Sequence, residues 1–261
     1  KTIRPKNSEL HLPLTPGMQT FRVQLQQPFQ HKMVSRFPRP AIDGKATNVH
    51  LSVQMPSKRW VLWAQGPKWG PVFVYWGEVL LIVLAAFLLG KKSITPLGVF
   101  NWILLGLGLS HLPAIAMIIP PLWFIALSGR EKRPAEKRTV FNALQVGLTL
   151  LTFASAGVLY AAIAGGLSGS PDMSIAGFGS SNWRLQWYAG HSGPQLPSIV
   201  LFSVPLGAWH ALMFAWAFWL CYQLFNKKGW IRWAWACFAT GGIWRPATDI
   251  VLKDGKKPDE V

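Results

Sequence analysis

Arg130-Glu-Lys-Arg-Pro-Ala-Glu-Lys-Arg138 places seven charges in nine residues between two long apolar segments. Pro96 to Leu127, before it, holds no Asp, Glu, Lys or Arg, and Thr139 to Gly166, after it, holds none either. A helix crossing a hydrocarbon core of about 30 Å needs about 20 apolar residues. A short Lys/Arg-rich loop between two such runs stays on the cytoplasmic side. The stretch therefore reads as the orienting loop of a polytopic membrane protein.

Composition agrees. Of the 261 residues, 51% are hydrophobic and 14% charged, against about 25% charged in an ordinary soluble domain; the mean hydropathy is +0.25. Fifteen Trp and fifteen Phe suit aromatic belts at two membrane surfaces. The net charge of +16 raises nucleic acid as a partner. Residues 1–70 hold eleven Lys/Arg against two acids, and most remaining cations lie in short loops beside apolar runs. That distribution fits anionic lipid headgroups, so the lipid bilayer is an expected partner and nucleic acid is not. Cys221 and Cys237 are the two cysteines, with no CxxC or Cys/His spacing for a metal and no implied disulfide. The chain opens at Lys1 without a signal peptide, which suggests a removed leader or the C-terminal part of something longer.

Residues 1–70 read as an extracytoplasmic β-rich segment. Phe21–Gln27 and Asn48–Met55 alternate apolar and polar side chains, and Trp60–Ala64 is the expected return strand after a turn at Pro56–Arg59. Residues 71–228 read as a transmembrane helical domain. Pro71–Gly90 is the first span; it contains Glu78, about 10 Å along the helix from Pro71, and an intramembrane carboxylate is a candidate functional group. Snorkelling or pairing with lysine is the structural alternative. Pro96–Leu127 is too long for one upright crossing, and Ser110-His-Leu-Pro113 divides it into a hairpin of helices over 94–110 and 113–129. One kinked, tilted helix is the alternative. Thr139–Gly166 and Ser198–Asn226 complete five spans. The loop between them, residues 167–197, is long enough for a functional loop or for contact with the N-terminal segment, and Gly177–Ser181 in it is a candidate anion nest. Residues 229–245 read as an interfacial amphipathic helix and residues 246–261 as a cytoplasmic tail. The predicted fold class is thus a membrane α-helical bundle of about five transmembrane helices, N-terminus outside and C-terminus inside.

Two small-residue stripes stand out, Gly157/Ala161/Gly165 and Gly207/Ala211/Ala215, each at i, i+4, i+8. In lipid, helices associate through such surfaces, so the stripes are predicted to face each other or a shared partner helix, with His210 turned into the bundle.

Thr95-Pro-Leu, Trp102-Ile-Leu-Leu-Gly-Leu-Gly-Leu-Ser110, Pro171-Asp-Met173, Gly177-Phe-Gly-Ser-Ser181, Ser203-Val-Pro-Leu and Leu212-Met-Phe-Ala-Trp-Ala-Phe-Trp219 form a set. Together they resemble the C-terminal membrane part of large bacterial inner-membrane proteins that carry a long extracytoplasmic region of strands. The resemblance covers roughly residues 60–245. It implies architecture and no catalytic residues.

No catalytic motif is present. Axial haem ligands are typically two histidines at one depth, and His111, at the hairpin turn, and His210, within the fifth span, are placed at different depths. Ser110-His111 has no acid nearby, and neither a phosphate loop nor a His/Glu metal motif occurs. No cofactor is predicted. The function expected is an inner-membrane anchoring and assembly domain of a bacterial envelope protein, acting through helix-helix and subunit contacts. A subunit of a transporter or redox complex completed by a partner is the alternative.

Overall fold

A computed structural model describes residues 12, 15–24, 32–91, 95–132 and 137–245. The chain forms two compact units, Lys1–His31 and Lys32–Val261. In the first, residues 15–24 are exposed and contain neither helix nor strand. The strand expected at Phe21–Gln27 is therefore absent over 21–24, and residues 25–27 lie outside the described residues, as does the predicted tail, 246–261.

The second unit runs β1 (Val34–Arg36), β2 (Ala46–Gln54), β3 (Arg59–Gln65), β4 (Val72–Phe73), α1 (Tyr75–Lys91), α2 (Val99–Leu109), α3 (Ala114–Lys132), α4 (Arg138–Ser168), β5 (Ile175–Ala176), β6 (Arg184–Ser192), β7 (Val200–Pro205), α5 (Leu206–Phe225) and α6 (Trp230–Ala239). This is a mixed α and β fold, and it overturns the five-span bundle. Only α3 and α4 are long and apolar enough to cross a membrane among the described residues. The first predicted span loses its beginning to β4, leaving an α1 of 17 residues, and α2 has 11, about 16 Å. The fifth loses residues 200–205 to β7, and its tryptophans, Tyr222 and Gln223 dilute the apolar character of what remains as α5.

The loop expected at 167–197 contains two strands, β5 and β6. Antiparallel β6 pairs with β2 from Ala46↔Ser192 to Gln54↔Arg184. In a second sheet β7 lies between β1 and β3, and β4 pairs with β5. The predicted β2–β3 hairpin does not form, because the two strands take their partners from the far side of α4 in sequence. Alternation explains the geometry: Leu185 and Trp187 on β6 are buried, as side chains of one face must be when a strand lies on a core. They join Val53, Val61, Phe73, Met173, Ile199 and Leu201 in one apolar cluster. A Cβ at Gly66 or Gly70 would run into the Trp187 indole, so both positions need glycine for close approach. Arg59 crosses from β3 to donate from Nη2 to the Ser203 carbonyl (2.6 Å) and the Lys32 carbonyl (2.8 Å).

The second cluster belongs to the helices and includes Trp102, Leu105, Phe124, Leu127, Leu159, Trp209, Met213, Trp216 and Trp230. The chain breaks at Ser110–Pro113 between α2 and α3, and the two helices meet where Trp102 and Phe124 pack edge to face at 5.8 Å. Pro120 and Pro121 inside α3 deprive two carbonyls one turn earlier of their helical donors. Beside them Ser155 of α4 donates to the Ile119 carbonyl (3.4 Å), and Trp123 Nε1 donates to Thr152 Oγ1 (2.9 Å). The segment read as an interfacial helix is shortened to α6, which buries Trp230 and Cys237.

Candidate functional site

The helices have two polar ends. At one, the strands feed into α1 and α5, and the Leu206 N–H donates to the Lys58 carbonyl (2.9 Å). Tyr75, at the start of α1, meets Ser110 at the end of α2 (O···O 3.4 Å), which places the α2–α3 turn at this end as well. His111 packs edge-on against Trp209 (5.9 Å), and Trp209 packs against Trp60 (5.4 Å). Trp209 donates to the Gly166 carbonyl (2.9 Å), and His210 Nε2 lies 3.1 Å from the Gly169 carbonyl. Both ring nitrogens of His111 and Nε1 of Trp60 are buried without a hydrogen-bond partner. Ser110 donates to the Leu107 carbonyl (2.8 Å), so Ser110 and His111 make no nucleophile–base pair. A cavity of about 20 Å³ beside Arg59 and Trp60 has room for roughly one water. Among the described residues no three His, Cys, Asp or Glu side chains converge as metal ligands.

The other candidates fall elsewhere. Glu78 lies in the first turn of α1, because β4 occupies the residues expected to begin that helix. A carboxylate there faces the positive end of the helix dipole, which gives Glu78 a structural reason to be at that position. The Gly177–Ser181 turn has its own hydrogen bonds: Ser180 N–H donates to the Gly177 carbonyl (2.9 Å) and Ser181 N–H to the Arg184 carbonyl (2.7 Å). The Ser180 and Ser181 donors are thus used within the turn itself.

The small-residue stripes do not form the contact between α4 and α5. Gly157, Ala161 and Gly165 are exposed, and so are Gly207, Ala211 and Ala215. The buried face of α4 carries Leu148, Ser155, Leu159, Ala162 and Gly166, about 130° round the helix from Ala161 at 100° per residue. On α5 the buried residues Trp209, Met213, Trp216 and Leu220 lie nearly opposite the stripe. The close approaches are at Gly166, where a Cβ would collide with Met213, and at Gly108 on α2, where it would collide with Trp216.

The opposite end is basic, and it contains the cluster that sequence reading did not assemble. Arg130 belongs to the last turn of α3 and is only 4% exposed. Its Nη2 donates to the Thr240 carbonyl (2.6 Å), while Nε and Nη1 are buried without an acceptor. The guanidinium carbons of Arg130 and Arg245 lie 4.4 and 4.3 Å from the centroid of the Phe141 ring. Asn142 donates to the Arg245 carbonyl (2.9 Å) and accepts from its N–H (3.0 Å). Gln145 Nε2 donates to the carbonyls of Phe238 (3.1 Å), Ile243 (3.1 Å) and Gly242 (3.4 Å). The signal for this cluster was present in the sequence: Asn142, Gln145 and Thr149 recur on one face of an otherwise apolar run. Lys132, Lys137, Arg138, Lys227, Lys228 and Arg232 surround the same end, with Glu131 turned to the Cys237 thiol (3.5 Å).

Comparison with family models, with curated proteins and with solved structures finds no match to this chain.

Proposed function

We propose that this chain is an anchoring and assembly domain held in the bacterial inner membrane, its strands on the extracytoplasmic side and its basic helix ends in the cytoplasm. One observation carries the reading. The apolar windows of α3 and α4 are only 33% and 22% buried within the chain, whereas a helix apolar on all sides requires a covered environment. Ile118, Leu122, Leu150, Phe153 and Tyr160 point outward from this pair. Acyl chains suit these faces, and the short basic loop between α3 and α4 fits the retention of such loops in the cytoplasm, while the cations of the strand end lie in a longer segment, on which that bias acts weakly.

The assembly part of the proposal rests on the two exposed stripes. Gly157/Ala161 and Ala211/Ala215 leave room for another helix to come close, and none of the described helices of this chain fills that room. The test is labelling with a membrane-impermeant maleimide in intact cells, using single cysteines at Ser57 and Lys137 in a background without the native thiols. Modification at 57 with protection at 137 until the membrane is opened is the expected result. Modification at 137 without 57 overturns the orientation, and protein recovered entirely in the soluble fraction overturns the anchor.

A further inference from the structure

The strands do not present one kind of surface throughout. The exposed residues of β2 are Thr47, Asn48, His50, Ser52 and Gln54, and neither β2 nor β6 exposes a large apolar side chain. Where the strands meet the helices, indoles are exposed: Trp63 at 56%, Trp76 at 43% and Trp183 at 50%. Each is tied to that junction. Trp76 lies in the first turn of α1, and its Nε1 donates to the Leu62 carbonyl of β3 (2.9 Å). Trp63 stacks on Phe73 (6.0 Å), which precedes α1 by two residues. Trp183 borders the same small cavity as Leu206, the first residue of α5. The junction is level with the end of α4, because Trp209, in the first turn of α5, donates to the Gly166 carbonyl.

Two observations say what covers this rim. Its apolar residues do not gather into one patch. Helix α1 packs on α2 and α3 on α4, yet Ile115 in the first turn of α3 is exposed just as Trp76 is in that of α1, and Trp183 stands beside α5. A protein partner covers one side, whereas lipid surrounds. The second observation is chemical. An indole is apolar in its body and polar at Nε1, so it settles at the level of lipid headgroups. Residues 32–70 carry seven Lys/Arg against one acid, Asp43. Among them the exposed Lys58 lies at the junction itself, its carbonyl accepting from the Leu206 N–H (2.9 Å). That charge is complementary to phosphate.

We infer that the strand unit is seated on the outer leaflet, with Trp63, Trp76 and Trp183 among the phospholipid headgroups, Lys58 on their phosphates, and the polar residues of β2 in water. The inference rests on the membrane-anchor reading above and adds to it the surface by which the strands hold to the bilayer.

The experiment uses the full chain with both native thiols replaced by alanine, in vesicles of phosphatidylglycerol and phosphatidylcholine. Single cysteines replace Val72, Trp183 or Thr47, and each carries a nitrobenzoxadiazole label. Val72 is exposed on β4, next to the Phe73 on which Trp63 stacks. Thr47 lies seven residues along β2 from Gln54, the partner of Arg184 beside Trp183, a distance of about 23 Å. A nitroxide on the lipid headgroup should quench the labels at 72 and 183 and leave the label at 47 as bright as in plain lipid. Trp63→Ser combined with Trp76→Ser should remove the quenching at 72 while the chain still floats with the vesicles. Quenching that survives both substitutions overturns the role of the indoles. Labels at 72 and 183 as bright as that at 47 overturn the seat, and so does equal quenching at all three sites. Labels open to water in vesicles but shielded in native membranes would assign the rim to a protein partner, and also overturn it. In each of these outcomes the chain still floats and the anchor stands, whereas a chain that does not float removes both readings.

Discussion

Leu159 and Ala161 are two residues apart on α4, and the structure gives them opposite roles. Leu159 is 7% exposed and belongs to the helical core with Trp209 and Met213; Ala161 faces outward. Leu159→Ala removes three carbon atoms from that core, about 2.4 kcal/mol at roughly 0.8 kcal/mol per methylene. The cavity left behind brings the cost to about 2–5 kcal/mol. For a chain of this size each kcal/mol shifts the midpoint by about 2–4 °C, so a loss of about 3 kcal/mol gives a fall of roughly 6–12 °C. Ala161→Leu adds an exposed side chain and should stay within about 0.5 kcal/mol, a shift of about 2 °C or less. Tryptophan fluorescence during heating in detergent is a direct assay, because Trp209 and Trp216 lie in the same cluster. Equal shifts for the two variants, or a larger loss for Ala161→Leu, would refute the assignment of the buried face and restore the stripe as the packing surface.

Gly70→Val should loosen the strand unit, because its side chain meets the Trp187 indole; faster proteolysis around residues 40–60 at unchanged helix content is the expected readout. Gln145→Leu leaves the carbonyls of Phe238, Gly242 and Ile243 without their donor and should cost about 2 kcal/mol, seen as a lower midpoint and faster alkylation of Cys237. In the native protein Cys221 is exposed and Cys237 buried, so a small thiol reagent should modify only the former until the chain unfolds. Burial, with the Glu131 carboxylate beside it, pushes the Cys237 thiol from 9.0 up to about 12. The folded state then keeps a proton that the unfolded state releases, so stability should decline as pH rises from about 9 toward about 12; a decline of the same size in Cys237→Ala refutes this source.

What was legible in the sequence was local. The alternation over residues 48–55 reports β2, Pro113 reports the break before α3, and the charge-free run after Arg138 reports α4. Pairing was not legible. Nothing within β2 or β3 says that their partners come from residues 184–205, since a strand's partner is set by what the rest of the chain brings alongside. The span count failed for a related reason: an apolar run reads alike as membrane helix or as buried strand, and residues 200–205 take the second form as β7. For the site, Asn142 and Gln145 marked a polar face, but the arginines they accompany lie about a hundred residues apart in the chain. The stripes do not mark the α4–α5 contact because small residues permit close approach without directing it, and on both helices the larger side chains at the other positions set the packed face.

α4 ties the two ends together, and its length bears on the anchor reading. Gln145 marks the polar lacing at the basic end, and the Gly166 carbonyl, bonded to Trp209, marks the layer at the strand end. The 21 residues between them span about 31 Å at 1.5 Å per residue, against a hydrocarbon thickness of about 30 Å. Between these layers Trp123, Thr149, Thr152 and Ser155 are engaged within the α3–α4 pair, Trp123 with Thr152, Thr149 with the Gln145 carbonyl and Ser155 with the Ile119 carbonyl, while Tyr160 faces outward. That is the arrangement a low-dielectric surrounding demands, because an unpaired polar group there costs several kcal/mol. The short α2 breaks no such rule, since Trp102, Leu105, Gly108 and Leu109 are buried within the chain. The spacing of the two polar layers and the pairing between them are two independent supports for the proposed anchor, in which lipid would cover the outward apolar faces of α3 and α4 over one bilayer thickness.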